Sequence, residues 1–132
     1  MQLKKILLAE DDSDDQKLFL DFLQNRKDLL ILPIVENGAR LLEVMQSMNV
    51  DELPDLIILD QNMPQKNGLQ TLDDLKSDAH FNSIPVVIYS TYADAILTKR
   101  AIEKGALMVA MKPLNEQGYH EMMDSFLELC RK

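Results

Sequence analysis

Four short apolar runs in this chain each stop at a side chain that can handle a phosphoryl group. Ile6-Leu7-Leu8-Ala9 ends in Glu10-Asp11-Asp12, and Leu56-Ile57-Ile58-Leu59 ends in Asp60. Val86-Val87-Ile88-Tyr89 ends in Ser90-Thr91, and Leu107 through Met111 ends in Lys112-Pro113. If the run ends share one edge, Glu10, Asp11 and Asp60 bring three carboxylates together. Without a counter-ion their mutual repulsion raises their pKa values and costs stability. Hard oxygen ligands packed this way suit Mg²⁺, which takes one or two carboxylates and leaves places for phosphate oxygens. A carboxylate is also a competent nucleophile toward phosphorus, giving an acyl phosphate. A lysine ammonium neutralises charge on the transferring group while a hydroxyl donates to its oxygens. Asp60, Ser90, Lys112 and Mg²⁺ fill those roles.

For these residues to meet, the runs must be parallel strands of one sheet, since open α/β sheets bind ligands beyond the carboxyl ends of their strands. The pattern supports this, alternating short β-rich runs with amphipathic helical stretches, as βαβ units do. The strands fall at residues 4–9, 29–35, 55–59, 85–89 and 107–111. A helix begins at Ser13, with Gln16 placed to complete a capping box, and turns Leu18, Phe19, Phe22 and Leu23 inward. The next follows Asn37-Gly38 and buries Leu41, Leu42, Met45 and Met48. A third carries Leu69, Leu72 and Leu75, and a fourth runs from about Asp94 to Lys104, where Gly105 stops it. The last repeats Tyr119, Met122, Met123, Phe126, Leu127 and Cys130 at helical spacing. Pro33 cannot donate a ladder hydrogen bond, so its strand belongs at an edge. The order 2-1-3-4-5 of a flavodoxin-like, doubly wound (βα)5 sheet puts the second strand there.

The bulk numbers bound the reading. A chain of 132 residues is most simply one domain, with 46% hydrophobic and 27% charged residues, as in ordinary globular proteins. A net charge of -8 argues against non-specific nucleic-acid or anionic-membrane binding. No apolar run approaches the roughly 20 residues of a membrane helix, and the start from Met1 to Lys5 does not read as a signal peptide. The single cysteine, Cys130, excludes an internal disulfide and suits a reducing cytoplasm. His80 and His120 have no ligand-like neighbours, so no zinc site is expected. Asp14 and Asp15 read as a solvated, acidic helix start.

The ordered motifs also match a family. Ile6–Asp12, Pro54–Asp60, Asn62-Met63-Pro64, Asn67-Gly68, Ile84–Val87, Lys104-Gly105-Ala106 and Lys112-Pro113 resemble the CheY-like receiver domain of bacterial two-component response regulators. The resemblance runs from Lys4 into the last helix. It implies that Asp60 accepts a phosphoryl group from a sensor histidine kinase or a histidine phosphotransfer protein. It further implies that Asp11, Asp60 and the backbone carbonyl of Asn62 ligate Mg²⁺, with Glu10 acting through a water. Ser90 would bond the phosphoryl oxygens and Lys112 would pair with them, across a cis bond to Pro113. Such a protein is a phosphoprotein that signals by protein contacts in the bacterial cytoplasm. It catalyses only its own phosphorylation and dephosphorylation, as a monomer or weak homodimer, and touches neither nucleic acid nor membrane.

Departures from the family pattern sharpen the expectation. Val109 stands where receivers usually carry an aromatic switch residue, with Tyr92 as the nearby ring able to replace it. The segment 77–83 and the room for only one helix after Leu114 resemble the small stand-alone receivers that serve phytochrome-type kinases, one domain over residues 1–132 without an output domain. The rival readings are a phosphorylation-independent receiver scaffold and a haloacid-dehalogenase-like hydrolase. The latter requires an acid where Asn62 stands. A flavin or nucleotide binder is disfavoured, because Glu-Asp-Asp-Ser-Asp-Asp replaces a phosphate-cradling loop.

Overall fold

The computed structural model describes residues 3–131. Five parallel strands, β1 (Lys4–Ala9), β2 (Leu29–Ile31), β3 (Leu56–Asp60), β4 (Val86–Ser90) and β5 (Val109–Met111), form one sheet in the order β2-β1-β3-β4-β5. Five helices alternate with them: α1 (Ser13–Leu23), α2 (Gly38–Gln46), α3 (Gly68–Lys76), α4 (Ala95–Glu103) and α5 (Glu116–Cys130). This is the flavodoxin-like (βα)5 architecture.

The continuous apolar runs follow from burial on both sheet faces. Alternate residues divide between two cores. Ile6, Leu8, Leu56, Ile58, Val87 and Tyr89 point to the side covered by α1 and α5. Leu7, Ala9, Ile57, Leu59, Val86 and Ile88 point to the side covered by α2, α3 and α4. The α5 stripe from Tyr119 to Leu127 is buried as its spacing requires, with Cys130 half-buried at the end.

Strand ends differ informatively from the expectation. β2 is an edge strand, as Pro33 demands, but regular pairing stops at Ile31. The chain steps around Pro33 and rejoins β1 at Val35, whose N–H donates to Leu8 O at 3.1 Å and whose O accepts from Glu10 N at 2.9 Å. Regular pairing in β5 begins only at Val109, although Leu107 N already bonds Val86 O. β3 and β4 each run one residue further than read, so Asp60 and Ser90 are the last ladder residues rather than the first loop residues.

The helix signals also resolve. The cap of α1 is Asp12, whose carboxylate accepts from the N–H groups of Asp14 and Asp15. Gln16 bonds Glu10 O at 2.6 Å and so does not close a box with Ser13. Phe19 and Leu23 are buried, whereas Leu18 faces solvent. On α2, Leu41 and Met45 are buried and Leu42 packs only partly, while Met48, read as part of this helix, lies just beyond its end at Gln46 and packs partly against the core. Asn67 and Gln70 do form a capping box on α3. Gly105 ends α4 at φ 109°, with Ala106 N bonding Ala101 O and Gly105 N bonding Ile102 O, a Schellman stop. The Lys112–Pro113 bond is trans, correcting the cis form that the resemblance implied; no peptide bond among the described residues is cis.

Candidate functional site

The acidic loop after β1 supplies two carboxylates of opposite exposure. Glu10 is fully buried, while Asp11 beside it is open to solvent. β3 delivers Asp60, only 2% exposed, and the loop holds it by the Asn62 N–H at 3.3 Å from Oδ1. Gly68 makes that loop possible, since a Cβ there would stand 2.9 Å from Asp60 O. β4 delivers Ser90, 1% exposed, whose Oγ accepts from Tyr92 N–H at 3.3 Å. β5 delivers Lys112, its backbone N–H tied to Ser90 O.

These elements converge. Carboxylate oxygens of Glu10, Asp11 and Asp60 all lie within 4.8 Å of one another. Lys112 Nζ sits among acids, 2.8 Å from Asp15 Oδ2, 2.9 Å from Glu10 Oε1 and 3.3 Å from Asp60 Oδ1. A polar cleft of about 190 Å³ opens over them, lined by Asp11, Asp15, Asp60, Asn62, Thr91 and Lys112. Two larger cavities lie elsewhere, one between the end of α2 and the segments that follow α2 and α3, the other beside the chain beyond β2, and neither contains an acidic cluster of this kind.

The electrostatics show a site short of positive charge. Burial pushes the Asp60 carboxyl up to about 8; Glu10 adds to this and Lys112 opposes it. Burial also works against the charge on Lys112, yet its bonds to Asp15 and Glu10 win and hold the ammonium well above the usual lysine range. A hard divalent cation fits this donor set: three clustered carboxylates, two of them buried, with one ammonium between them.

Two contributors were missed from sequence. Asp15 is not merely a solvated helix residue, because it grips Lys112 across from α1 to the end of β5. Tyr89 sends its hydroxyl to Glu10 Oε1 at 2.6 Å and its ring lies 5.0 Å from Lys112 Nζ. A phenol inside an otherwise apolar buried strand needs such a partner. By contrast, Tyr92 is 72% exposed and Val109 is only partly buried. His80 is exposed, and His120 meets Arg26 and Glu116, away from the cleft.

The sequence matches the model of the response regulator receiver domain over residues 6–124. The chain belongs to that family. Among curated relatives, the probable C4-dicarboxylate response regulator DctR of Bacillus subtilis (strain 168) is 26% identical over 128 residues, covering 97% of this chain and 54% of that protein. The receiver spans about half the length, or less, of the curated relatives it matches. Among solved structures, the phosphorylated cyanobacterial phytochrome response regulator RcpA superposes with a TM-score of 0.82 at 26% identity, covering 98% of this chain and 95% of that one. The Mn²⁺-bound form of response regulator Rcp1 gives a TM-score of 0.73 at 27% identity, covering 96% and 89%. The receiver is thus a two-component signalling domain with an acidic cluster able to hold a metal ion. None of its described helices is long and apolar enough to cross a membrane.

Proposed function

We propose that residues 1–132 act as one receiver unit that takes a phosphoryl group onto Asp60 in a Mg²⁺-dependent reaction and signals through protein contacts. The donor is a phosphohistidine of a sensor histidine kinase or a histidine phosphotransfer protein. The observation that carries this reading is the meeting of Lys112 with the Glu10–Asp11–Asp60 cluster beneath one polar cleft, with Ser90 on the neighbouring strand end, its carbonyl accepting the Lys112 N–H. The phosphorylated form of RcpA and the Mn²⁺-bound form of Rcp1 are similar folds that lend it support.

In this reading Asp11, Asp60 and the Asn62 carbonyl would hold Mg²⁺, with Glu10 acting through a water, and the ion would supply positive charge to the phosphoryl oxygens. Asp60 is a nucleophile only as its carboxylate, and burial beside Glu10 favours the protonated acid. Added positive charge restores the reactive form. An Asp60 oxygen then bonds to phosphorus as the donor's N–P bond breaks, and the imidazole leaves with the electron pair. Lys112 turns from its carboxylates toward the new oxygens. Ser90 Oγ already accepts the Tyr92 N–H, so its own proton is free to donate to the phosphoryl group.

The reaction acts only on the receiver's own Asp60, so it is not turnover of an external substrate. Output is proposed at the face formed by α4, β5 and α5, where Ile96, Met111 and Leu114 stand exposed. The second reading, a phosphorylation-independent scaffold, draws on Val109 at the usual aromatic position. Intact-protein mass after Mg²⁺ and acetyl phosphate separates the two, with Asp60→Ala and EDTA as controls. One phosphoryl adduct, absent from both controls, is expected. No adduct on the wild type would overturn the phosphoacceptor and leave the scaffold.

A further inference from the structure

We infer that Tyr89 is a positioning residue for the acidic cluster, its hydroxyl fixing Glu10 and its ring backing Lys112 so that the cleft is shaped before a divalent cation arrives. This rests on reading Glu10, Asp11 and Asp60 as a Mg²⁺ site.

The case begins with what a buried carboxylate requires. Glu10 is 0% exposed, so each of its oxygens needs a protein donor. Oε2 accepts from the Asp12 N–H at 3.1 Å. Oε1 takes Lys112 Nζ at 2.9 Å and Tyr89 Oη at 2.6 Å, the short range of a hydroxyl bonded to an anion. These donors differ in permanence. Lys112 is a flexible amine shared with Asp15 and Asp60, and it leaves Glu10 whenever a new anion recruits it. Tyr89 cannot leave. It is wholly buried in β4, and its ring packs in the core beneath α1 and α5. Oε1 therefore keeps one bond whatever Lys112 does.

Topology gives this bond a second meaning. Tyr89 is the ladder partner of Asp60, and β3 stands between β4 and β1. A bond from Tyr89 to Glu10 thus ties the ends of two strands that flank the phosphoacceptor strand. Losing a group that orients a metal's ligands typically costs about 10–100-fold in metal affinity. Burial and the nearby Glu10 charge keep the phenol protonated far above its ordinary range, so it remains a donor.

The test is Mg²⁺ affinity of the full metal-free chain by titration calorimetry. Tyr89→Phe keeps the ring and deletes the hydroxyl; Tyr119→Phe deletes a hydroxyl from the same apolar core without touching Glu10. Tyr89→Phe should weaken Mg²⁺ binding about tenfold, in the range for lost ligand-orienting partners. Tyr119→Phe should stay within about twofold. In a Glu10→Gln background Tyr89→Phe should add less than about twofold, because the hydroxyl acts through that carboxylate. An unchanged affinity in Tyr89→Phe, an equal loss in Tyr119→Phe, or an undiminished loss in the Glu10→Gln background would each overturn the inference. If Tyr89→Phe does not fold, the wild type decides: NMR should show a slowly exchanging Tyr89 hydroxyl proton that Glu10→Ala abolishes, and its absence from the wild type overturns the inference. A wild type that binds Mg²⁺ but takes no phosphoryl group defeats the proposed function while the affinity ratios still decide the role of Tyr89. A wild type that binds no Mg²⁺ defeats both.

Discussion

Asp60 carries the sharpest single-residue consequence. Burial beside Glu10 pushes the Asp60 carboxyl up to about 8 in the folded metal-free chain, against about 4 when unfolded. Between those values the native state binds more protons than the unfolded state, so stability falls as pH rises from about 4 through about 8. Asp60→Asn should flatten that slope and stabilise the metal-free protein at neutral pH, as read by urea midpoints across the range. Lys112 makes the complementary case. Replacing it with Met leaves Glu10 and Asp60 buried without their cation and should cost roughly 2 kcal/mol in the metal-free protein. Mg²⁺ should restore much of that loss, and a chemical-denaturation series with and without the ion measures it. That Asp60 and Lys112 come to one sheet edge was legible because each ends an apolar run. Tyr89 and Asp15 were not, because their roles depend on side-chain reach across the sheet and from α1 to β5. No local pattern records that reach.

At the scale of elements, the cap of α1 tests how finely a sequence can be read. Both Asp12 and Ser13 are good capping residues, and Gln16 stands three residues after Ser13. The backbone chooses Asp12, which satisfies two N–H groups with one carboxylate oxygen. Asp12→Ala should therefore cost about 1 kcal/mol. Ser13→Ala should be nearly neutral, and thermal melts of the pair give the comparison. Gln16 was unavailable for a box because it secures the backbone of Glu10 instead. The same competition explains β2. Its edge position followed from Pro33 alone, but the break at Ile31 depends on how β1 is re-engaged at Val35, a three-dimensional matter of register. The five-strand order was legible because continuous apolar runs, helix stripes and one misplaced proline all point to the same sheet.

Across the whole molecule, charge and metal are linked. The chain carries a net charge of -8, and three of its carboxylates gather at one cleft. An ion that binds only the folded state stabilises it by mass action, about 2.7 kcal/mol at a hundredfold excess over the dissociation constant. Melting temperature should thus climb with Mg²⁺ concentration in the wild type and much less in Asp60→Asn. A wild type whose melting point ignores Mg²⁺ would contradict the metal site. What the sequence left open at this scale is the readout. Val109 on β5 is only partly buried and Tyr92 faces solvent, a placement set by the turn after β4 rather than by any spacing in the sequence.

The placement of Asp60 and Ser90 inside the ladder also sets where the molecule breathes. Gln61 N–H still bonds Tyr89 O beyond Asp60, whereas four residues later Gln65 sits at φ 63°, a left-handed backbone unusual for a side chain of its kind. Amide exchange should be slow up to Gln61 and speed up abruptly near Gln65. Asp60 then stands at the fixed end of the ladder beside an exposed turn held in a less favoured backbone shape, so whatever approaches the cleft meets a carboxylate that the sheet keeps in place.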